Sequence, residues 1–466
     1  MNLKSIFTGA ALSLALLSSA QQPKYIFYYI GDGMGVAPVN AAEYYNRMVL
    51  NNERPLTMLQ FPTVGWCQTY SASHPITDSA AAGTALATGH KTKNSMLGMN
   101  PDTVAVNSIA AELQQMGYGI GIATSVAPDD ATPGAFYAHV PNRSQFYTID
   151  KQMATSGYQF FAGAGLRGTK TDGQPNDVMD TFAQNGVQIV YGPEGVKEIN
   201  SDKVLLLNVP GFEDNNISYT VDSIQGMLTL PVITEACLAQ LERTSPEKFF
   251  MMIEGGNIDH ALHGNDGGAA IKEIINFDQA LEMAYNFYLA HPDETLIVVT
   301  ADHDTGGSAL VNKRGANLAN VDFQRVSKEQ FSEYCKRLLR SRNIYTWDDM
   351  KEYLADNLGF FTHIKLSDKQ EAGLKEMFDR TFELRNTDDQ KTLYANFNAF
   401  AVEVFSIFND AIGMAFTTTS HSANPTPVFA VGVGAEQFRG FNNNIDLPRR
   451  ILSIAKGETC CGNCCK

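Results

Sequence analysis

The sequence predicts an α/β fold with one large, mostly parallel central sheet, flanking helices and a largely helical insertion. Two observations predict it. Short apolar runs such as residues 25–30, 249–253 and 295–300 are typical of buried strands, and each ends directly in polar residues or glycines. Between about residues 312 and 413 the composition shifts toward charged, helix-like patterns, including residues 328–339, 368–384 and 396–408, which indicates a helical insertion or cap.

Length and composition indicate one large globular domain. The chain has 466 residues, of which 44% are hydrophobic and 18% charged, enough to build a large core. We assign residues 21–455 to a single α/β domain, because no repeat or low-complexity linker marks a boundary. The formal net charge is −15, which argues against nucleic acid or an anionic membrane as a partner.

The N-terminus has the pattern of a secretory signal over residues 1–20. Lys4 supplies the positive start, residues 6–17 the apolar run, and Ser18, Ser19 and Ala20 the small-residue cleavage site. A transmembrane anchor is the alternative, but the apolar run is too short to span a bilayer comfortably. The sequence therefore predicts an exported protein, periplasmic or secreted, without a transmembrane anchor.

The cysteines fall into two groups. Three are scattered along the chain and are expected to pack as small apolar groups: Cys67, Cys237 and Cys335. Four crowd a tail over residues 456–466, namely Cys460, Cys461, Cys464 and Cys465. Local disulfides in this tail are favoured over a soft-metal site.

The stretch from residue 249 to 266 carries the first sign of chemistry. An apolar run ends on the carboxylate of Glu254, two glycines follow, and Asp259 and His263 are spaced four apart. On a helix that spacing puts both on one face, where they can bind one divalent metal while Glu254 serves a second. The alternative is a strand, a glycine turn and a polar helix start without a function.

Polar residues follow other predicted strands in the same way. Asp32 follows residues 25–30, with a structural turn as the alternative, and Asp302 and His303 follow residues 295–300. Ser79 opens a run of small residues near a helix N-terminus, where it is either a plain cap or an anion-binding nucleophile. His421 precedes a predicted last core strand over residues 428–433.

One more segment contributes oxygen ligands and a cation. Asp130 and Thr132 follow the strand predicted over residues 119–124, and Arg143 offers a planar fork suited to phosphate. The carboxyl ends of parallel strands meet at one edge of a sheet, so these groups can converge there. Mixed Asp and His ligation suits zinc, and oxygen ligation suits magnesium.

Taken together, these segments closely resemble the alkaline phosphatase family. The resemblance rests on GDGMG at Asp32, TDSAAAGTA at Ser79, DATPGAFYAHVPNR over residues 130–143, EGGNIDHALH over residues 254–263, TADHD over residues 300–304, and His421. The segments run in family order over about residues 25–435. The resemblance implies hydrolysis of small-molecule phosphate monoesters through a phosphoserine, with two zinc ions and one magnesium ion.

The resemblance also implies a role for each site residue. Ser79 is the nucleophile and contributes its oxygen to the second zinc, and Arg143 clamps the phosphate. The implied ligands are Asp259, His263 and His421 for the first zinc, Asp32, Asp302 and His303 for the second, and Asp32, Thr132 and Glu254 for magnesium.

Two segments of the predicted site combine patterns from different parts of the family. The residue after the zinc-binding aspartate is lysine in some bacterial members and histidine in animal ones, and here it is His260, whereas Asp130 and Thr132 match the bacterial pattern. Asp130 and His260 are therefore expected beside the metal ligands. How this pair affects the preference for magnesium and the turnover rate stays open. His260 is alternatively only a hydrogen-bonding group.

The sequence leaves other functions open, both in enzymes related to alkaline phosphatases and outside them. A sulfatase needs a C/S-x-P-x-R segment, which neither Cys67 nor Ser79 has, and a phosphodiesterase is disfavoured by Arg143. A catalytically silent zinc-binding protein has no need of Ser79 and Arg143.

Only about five residues separate the predicted cleavage site from the first strand, too few for a dimerising arm, so a monomer is favoured over a homodimer.

Overall fold

Ten strands form one central sheet in the computed structural model, which describes residues 21–211, 216–341, 344–385 and 388–458. The predicted signal, residues 1–20, and the four cysteines of the tail lie outside the described residues. The strands are β1 (Tyr25–Ile30), β2 (Thr63–Gln68), β3 (Gly119–Thr124), β4 (Phe160–Gly163), β5 (Gln188–Tyr191), β6 (Val204–Leu207), β7 (Phe249–Glu254), β8 (Thr295–Thr300), β9 (Thr426–Gly432) and β10 (Gly440–Asn443).

The strand order across the sheet is β10-β2-β9-β8-β1-β7-β3-β4-β6-β5. Only β9 runs antiparallel to its neighbours, β8 and β2, and the other pairs are parallel. This confirms the predicted α/β class with a large, mostly parallel sheet. The prediction that β9 is the last strand of the core was wrong, because β10 joins the sheet after it.

Strand β1 shows why the sheet is covered on both faces. Its residues from Ile26 to Ile30 are all 0% exposed, and alternate side chains enter two different cores. Phe27 and Tyr29 pack with one core, and Ile26 and Tyr28 with the other. A parallel strand buried on both faces is apolar throughout rather than alternating, and that is the pattern the sequence has here.

Fifteen α-helices accompany the sheet among the described residues. They are α1 (Val36–Tyr44), α2 (Ser79–Thr88), α3 (Ile109–Gln115), α4 (Ala131–Gly134), α5 (Phe146–Thr155), α6 (Val178–Gln184), α7 (Gly192–Val196), α8 (Leu230–Thr244), α9 (Gly256–His263), α10 (Gly267–Ala290), α11 (Lys328–Arg340), α12 (Trp347–Leu358), α13 (Asp368–Phe378), α14 (Ala399–Ile412) and α15 (Asp446–Lys456). Short 3-10 turns lie at Thr57–Gln60, Thr220–Asp222, Leu318–Phe323 and Ala435–Phe438, and π-helical turns at Tyr45–Val49 and Asp379–Glu383.

Four short two-stranded pairs lie outside the central sheet. Asp304–Thr305 pairs with His421–Ser422, and Ala309–Leu310 pairs with Met414–Ala415. Asp389–Lys391 pairs with Asn396–Asn398 to form a hairpin, and the fourth pair joins Lys170–Thr171 to Gln174–Pro175. The first two tie the chain after α14 back to the end of β8.

Helices α11 to α14 occupy the segment in which the sequence predicts a helical insertion. Their buried side chains, including Phe331, Leu354, Phe378 and Phe405, belong to the same core as Phe27 of β1. Residues 396–398, predicted to be helical, are instead a strand of the hairpin. The division of the chain into a domain and a cap stays a prediction.

Two further expectations concern the described residues. Cys67, Cys237 and Cys335 are buried free thiols, as predicted for small apolar groups. Among the described residues, none of the helices combines the length and the apolar character that a membrane crossing requires.

Candidate metal centre and phosphate site

Three adjacent strands deliver carboxylates to one edge of the sheet. β1 lies between β7 and β8, with Ile30 in register with both Glu254 and Thr300. Asp32 and Asp302 each follow their strand by two residues, and Glu254 ends its own. All three are at most 6% exposed. Parallel register therefore concentrates negative charge where the sequence predicts a site.

Asp259, His263 and His421 form what we call the first cluster. Asp259 and His263 lie one turn apart on α9, with Asp259 Oδ2 3.3 Å from His263 Nε2. His421 arrives from far along the chain through its pairing with Thr305. His263 Nε2 and His421 Nε2 are 3.0 Å apart.

Hydrogen bonds on the far side of both rings fix the direction of their lone pairs. His263 Nδ1 donates to Thr419 O at 2.6 Å, and His421 Nδ1 donates to Thr77 O at 2.8 Å. A neutral imidazole that donates from Nδ1 carries its lone pair on Nε2. With both rings neutral, two lone pairs and a carboxylate oxygen point at one another, an arrangement that a cation between them relieves.

Asp32, Asp302 and His303 form the second cluster. His303 Nε2 lies 3.1 Å from Asp302 Oδ2 and 3.5 Å from Asp32 Oδ1. Neither of these two buried oxygens accepts a hydrogen bond in the described part of the chain. Buried carboxylate oxygens are normally satisfied, so this pair also fits a bound cation.

The donor chemistry of both clusters suits a divalent metal. In each cluster one ligand atom per residue lies within 4.8 Å of the others, and the residues are the two sets that the resemblance implies for zinc. Imidazole nitrogen with carboxylate oxygen is a common zinc donor set.

The pKa values reflect burial first and the crowding of like charges second. Burial raises the pKa of Asp32 well above its usual range, and the nearby Asp302 and Asp259 carboxylates raise it further. Burial raises the pKa of Asp302 to about 7 and that of Glu254 to about 8. Burial also lowers the pKa of His303 well below its usual range, which keeps its ring neutral. Added positive charge would reverse the carboxylate shifts.

Ser79 is the first residue of α2 and lies beside the second cluster. Its Oγ is 3.3 Å from His303 Nε2, and the side chain is 1% exposed. The helix cap is the preceding residue, Asp78, whose Oδ1 accepts from Ala81 N at 3.0 Å. The capping role considered for Ser79 thus belongs to Asp78, and the Ser79 hydroxyl is left facing the cluster at the positive end of a helix.

A set of oxygen donors lies next to Asp32. Glu254 accepts from Thr124 Oγ1 across the paired ends of β7 and β3. Thr132, on α4, is 1% exposed, and its Oγ1 has no hydrogen-bond partner among the described residues. A buried hydroxyl without a partner needs an explanation, and a hard cation such as magnesium is one.

Arg143 is held by carboxylates on two elements. Its Nη2 donates to Asp130 Oδ1 at 2.7 Å, and its Nη1 lies 3.8 Å from Asp78 Oδ2. Asp130 also faces Arg167, with Nη1 3.3 Å from Oδ2. Burial would raise the pKa of Asp130, but Arg167 and Arg143 outweigh it and hold the pKa well below its usual range. Asp130 is therefore an ionised anchor for two guanidinium groups.

His260 lies on α9 between the two first-cluster ligands. It is 7% exposed, and burial lowers its pKa to about 4 despite the neighbouring Asp259 and Asp130 carboxylates. His260 is therefore neutral over the physiological pH range. Its ring contacts that of Tyr394, with the ring centres 3.8 Å apart.

Two residues that the sequence analysis did not single out belong to this centre. The Thr305 hydroxyl donates to Asp259 Oδ1 at 2.5 Å and accepts from His303 Nδ1 at 3.1 Å, so it links the two clusters. Arg167 holds Asp129 with its Nε at 2.9 Å as well as Asp130. Thr305 follows the recognised TADHD segment directly, which was an available signal, whereas Arg167 lies in a glycine-rich stretch with no such marker.

Gly33 is required by this geometry. Its φ is +68°, its N–H donates to Asp302 Oδ1 at 3.1 Å, and a Cβ there would lie 2.6 Å from Asp259 Oδ1. Any side chain would therefore be strained and would push the two clusters apart.

Comparison with known proteins points to one family. A family profile described as "Alkaline phosphatase" matches residues 23–162 and 146–457. Alkaline phosphatase 4 of Bacillus subtilis (strain 168) is 29% identical over 469 residues, which cover 97% of this chain and 94% of that protein. Repressible alkaline phosphatase of Saccharomyces cerevisiae is 27% identical over 458 residues, covering 90% of this chain and 77% of that protein.

Solved structures share the fold. The cold-active alkaline phosphatase of a psychrophilic Shewanella sp. superposes with a TM-score of 0.77 at 24% identity, covering 92% of this chain and 99% of that one. The Thermus thermophilus alkaline phosphatase gives a TM-score of 0.76 at 23% identity, covering 97% and 95%.

Proposed function

Because the chain belongs to the alkaline phosphatase family of phosphatase hydrolases, we propose that it hydrolyses phosphate monoesters to an alcohol and inorganic phosphate. The observation that carries this proposal is the position of Ser79 Oγ, 3.3 Å from His303 Nε2 at the N-terminus of α2. The helix cap Asp78, directly before Ser79, faces Arg143, so the nucleophile, the helix N-terminus and a fixed arginine lie close to one another.

We propose two zinc ions and one magnesium ion as cofactors. The first cluster would hold one zinc, the second cluster with the Ser79 oxygen the other, and Asp32, Thr132 and Glu254 the magnesium. Bound divalent ions would supply the positive charge that favours a serine alkoxide and a departing oxygen anion. The convergent Nε2 lone pairs and unpartnered carboxylate oxygens support these assignments.

The chain's own residues also take part in substrate binding and in the covalent steps. Arg143, held by Asp130 and Asp78, presents its guanidinium fork to the phosphate oxygens. Ser79 Oγ attacks phosphorus, the ester oxygen leaves as the alcohol, and Ser79 becomes phosphoserine. Water then attacks that phosphorus, the serine hydroxyl is restored, and inorganic phosphate is released.

One assay tests the reaction class. Initial rates are measured on p-nitrophenyl phosphate, bis-p-nitrophenyl phosphate and p-nitrophenyl sulfate with zinc and magnesium present. We expect the monoester to be hydrolysed much faster than the other two. A faster diester or sulfate reaction would indicate a phosphodiesterase or sulfatase, and no hydrolysis at all by a metal-loaded protein would indicate a silent zinc-binding protein.

We also propose that the protein is exported to the periplasm or secreted, because residues 1–20 have a secretory pattern. Cell fractionation of the full chain and of a version lacking residues 1–20 tests this, and equal distribution of both would contradict it.

The preference for a monomer stays a prediction that light scattering can check.

A further inference from the structure

A short hairpin reaches the metal centre from the helical segment. Its strands are Asp389–Lys391 and Asn396–Asn398, and residues 392–395 form the turn. The turn is closed by Thr392, whose N–H donates to Ala395 O at 2.9 Å and whose Oγ1 accepts from Ala395 N at 3.2 Å. This tight turn presents the Tyr394 ring at a defined position.

The hairpin is fastened to the helices around it. Asn398 N donates to Ser332 Oγ at 2.8 Å. Lys328 Nζ lies 4.7 Å from the centre of the Phe397 ring and donates to Gly264 O at 2.8 Å. Because Gly264 directly follows α9, the hairpin is tied to the helix that carries the first cluster.

Tyr394 lies against the imidazoles of that helix. Its ring centre is 3.8 Å from that of His260 with the planes 31° apart, and 5.2 Å from that of His263 with the planes 76° apart. The side chain is half-buried. Burial raises the pKa of Tyr394 well above its usual range, and the nearby Asp259 carboxylate raises it further against the opposing charge of Arg143, so the phenol stays neutral.

The position of Ser79 decides which part of a substrate Tyr394 faces. Ser79 Oγ lies beside His303 of the second cluster, whereas the Tyr394 ring contacts His263 of the first. An in-line displacement places the leaving oxygen opposite the attacking one. With Ser79 attacking from beside the second cluster, this geometry favours departure of the alcohol portion on the side of the first cluster, whose His263 the Tyr394 ring contacts.

We propose that Tyr394 is a specificity-determining residue that packs against the alcohol portion of the phosphate monoester and favours aromatic leaving groups. The inference rests on the proposed monoesterase function. The turn that carries Tyr394 is held in place by the surrounding helices. Its neutral, half-buried aromatic ring therefore offers a flat apolar surface, and little conformational entropy is lost when a substrate packs against it. Offset or edge-to-face contact with an aryl group then adds favourable free energy that an alkyl group cannot match.

The test compares binding as well as turnover. Phenylphosphonate and methylphosphonate have a carbon–phosphorus bond in place of the ester bond, so their dissociation constants can be measured by calorimetry without hydrolysis. Phenyl phosphate and ethyl phosphate give the corresponding kcat/KM values. For each protein, the affinity for phenylphosphonate is divided by that for methylphosphonate, and the kcat/KM for phenyl phosphate by that for ethyl phosphate. Each of these aryl-to-alkyl ratios is then divided by the ratio for the unaltered protein, which cancels the intrinsic reactivity of the esters.

Three variants separate the ring, the hydroxyl and the hairpin. Tyr394→Leu removes the aromatic ring, Tyr394→Phe removes only the hydroxyl, and Leu393→Ala alters an adjacent side chain that is 58% exposed. We expect Tyr394→Leu to lower both aryl-to-alkyl ratios about three- to tenfold, and the other two variants to stay within twofold of the unaltered protein. Zinc content and melting temperature should match across all four proteins.

The outcomes are distinguishable from failure of the proposed function. If the unaltered protein neither binds the phosphonates nor hydrolyses the esters, the monoesterase proposal fails and this inference with it. If it does both but Tyr394→Leu keeps the original ratios, only the role of Tyr394 is overturned. A loss in Tyr394→Phe as large as in Tyr394→Leu would also overturn it, because the hydroxyl rather than the ring would then be responsible.

Discussion

Thr305 illustrates how a single hydroxyl can set the chemistry of two ligand groups. It is 0% exposed, and its one proton is donated to Asp259 Oδ1. Its oxygen therefore accepts from His303 Nδ1, which leaves the lone pair of that ring on Nε2, toward Ser79 and Asp302. Groups that orient metal ligands in this way typically influence metal affinity strongly.

We predict that Thr305→Val lowers zinc affinity by about 10–100-fold, because valine keeps the shape but loses both hydrogen bonds. Zinc retained against a graded series of chelator concentrations measures this. Thr305→Ser is the matched control, since it keeps the hydroxyl, and it should stay close to the unaltered protein. Equal zinc retention in Thr305→Val and the unaltered protein would contradict the assigned role.

The nucleophile is tested by Ser79→Ala. Because the Ser79 hydroxyl is the only group proposed to form the covalent intermediate, we predict a rate loss of at least about two orders of magnitude and no phosphoenzyme. Slow residual hydrolysis by water is expected. Labelled phosphate trapped on the Ser79→Ala protein in acid would show that another residue is the nucleophile.

At the residue scale, sequence was informative where local spacing decides geometry. Asp259 and His263 are four apart on one helix, so their proximity follows from the helical repeat. Thr305, Arg167 and Tyr394 acquire their roles only through partners far along the chain. Thr305 had one local signal, its position directly after the TADHD segment, whereas no local pattern distinguishes an arginine or a tyrosine that will find such partners.

At the scale of elements, the strands that carry the site were the predictable ones. β1, β7 and β8 are buried on both faces and therefore uniformly apolar, which makes them recognisable. β10 (Gly440–Asn443) was missed because its four residues include one glycine and two asparagines. The reversed direction of β9 was equally hidden, since an apolar run has the same pattern in either direction.

Helix α10 offers a prediction about pH. Glu273 on this helix is 5% exposed, and its Oε1 accepts from Thr220 N at 2.6 Å. Burial raises its pKa from 4.5 to about 7. Native Glu273 therefore holds its proton at pH values where the unfolded chain has released it, and stability falls as pH rises toward and through about 7.

We predict that Glu273→Gln removes this contribution. Between pH 5 and pH 9 the unaltered protein should lose about 2.5 kcal/mol of unfolding free energy relative to the variant. Denaturant unfolding at both pH values, with metal concentrations held constant, measures the difference. Glu235→Gln, at an exposed position of α8, is the matched control. A gap between Glu273→Gln and the unaltered protein that is the same at pH 5 and pH 9 would contradict the prediction.

For the whole molecule, the distribution of charge matters more than its total. The formal net charge of −15 makes the protein as a whole repel anions, yet the proposed substrate is an anion. The local balance at the centre is also negative once the site carboxylates are ionised, as metal ligands must be, because the described residues place two guanidinium groups among them, those of Arg143 and Arg167. Those carboxylates are Asp32, Asp130, Glu254, Asp259 and Asp302.

The last prediction follows from that balance: the metals create the phosphate site as well as serving the chemistry. Three divalent ions would reverse the sign of the local charge, and at an effective dielectric of about 20 one pair of unit charges at 4 Å is worth roughly 4 kcal/mol. That reversal exceeds what Arg143 can supply alone, since much of its charge is already compensated by Asp130 and Asp78. A chelator should therefore abolish phosphate binding along with turnover.

Titration calorimetry with inorganic phosphate decides this, using protein that has been stripped of metal and shown by circular dichroism to remain folded. Zinc and magnesium added back together should restore both binding and hydrolysis, and a zinc-only arm separates the contribution of magnesium. Phosphate affinity in the stripped protein within tenfold of the reconstituted value would contradict the prediction. Arg143 and the N-terminus of α2 would then hold phosphate unaided, and the metals would serve only the covalent steps.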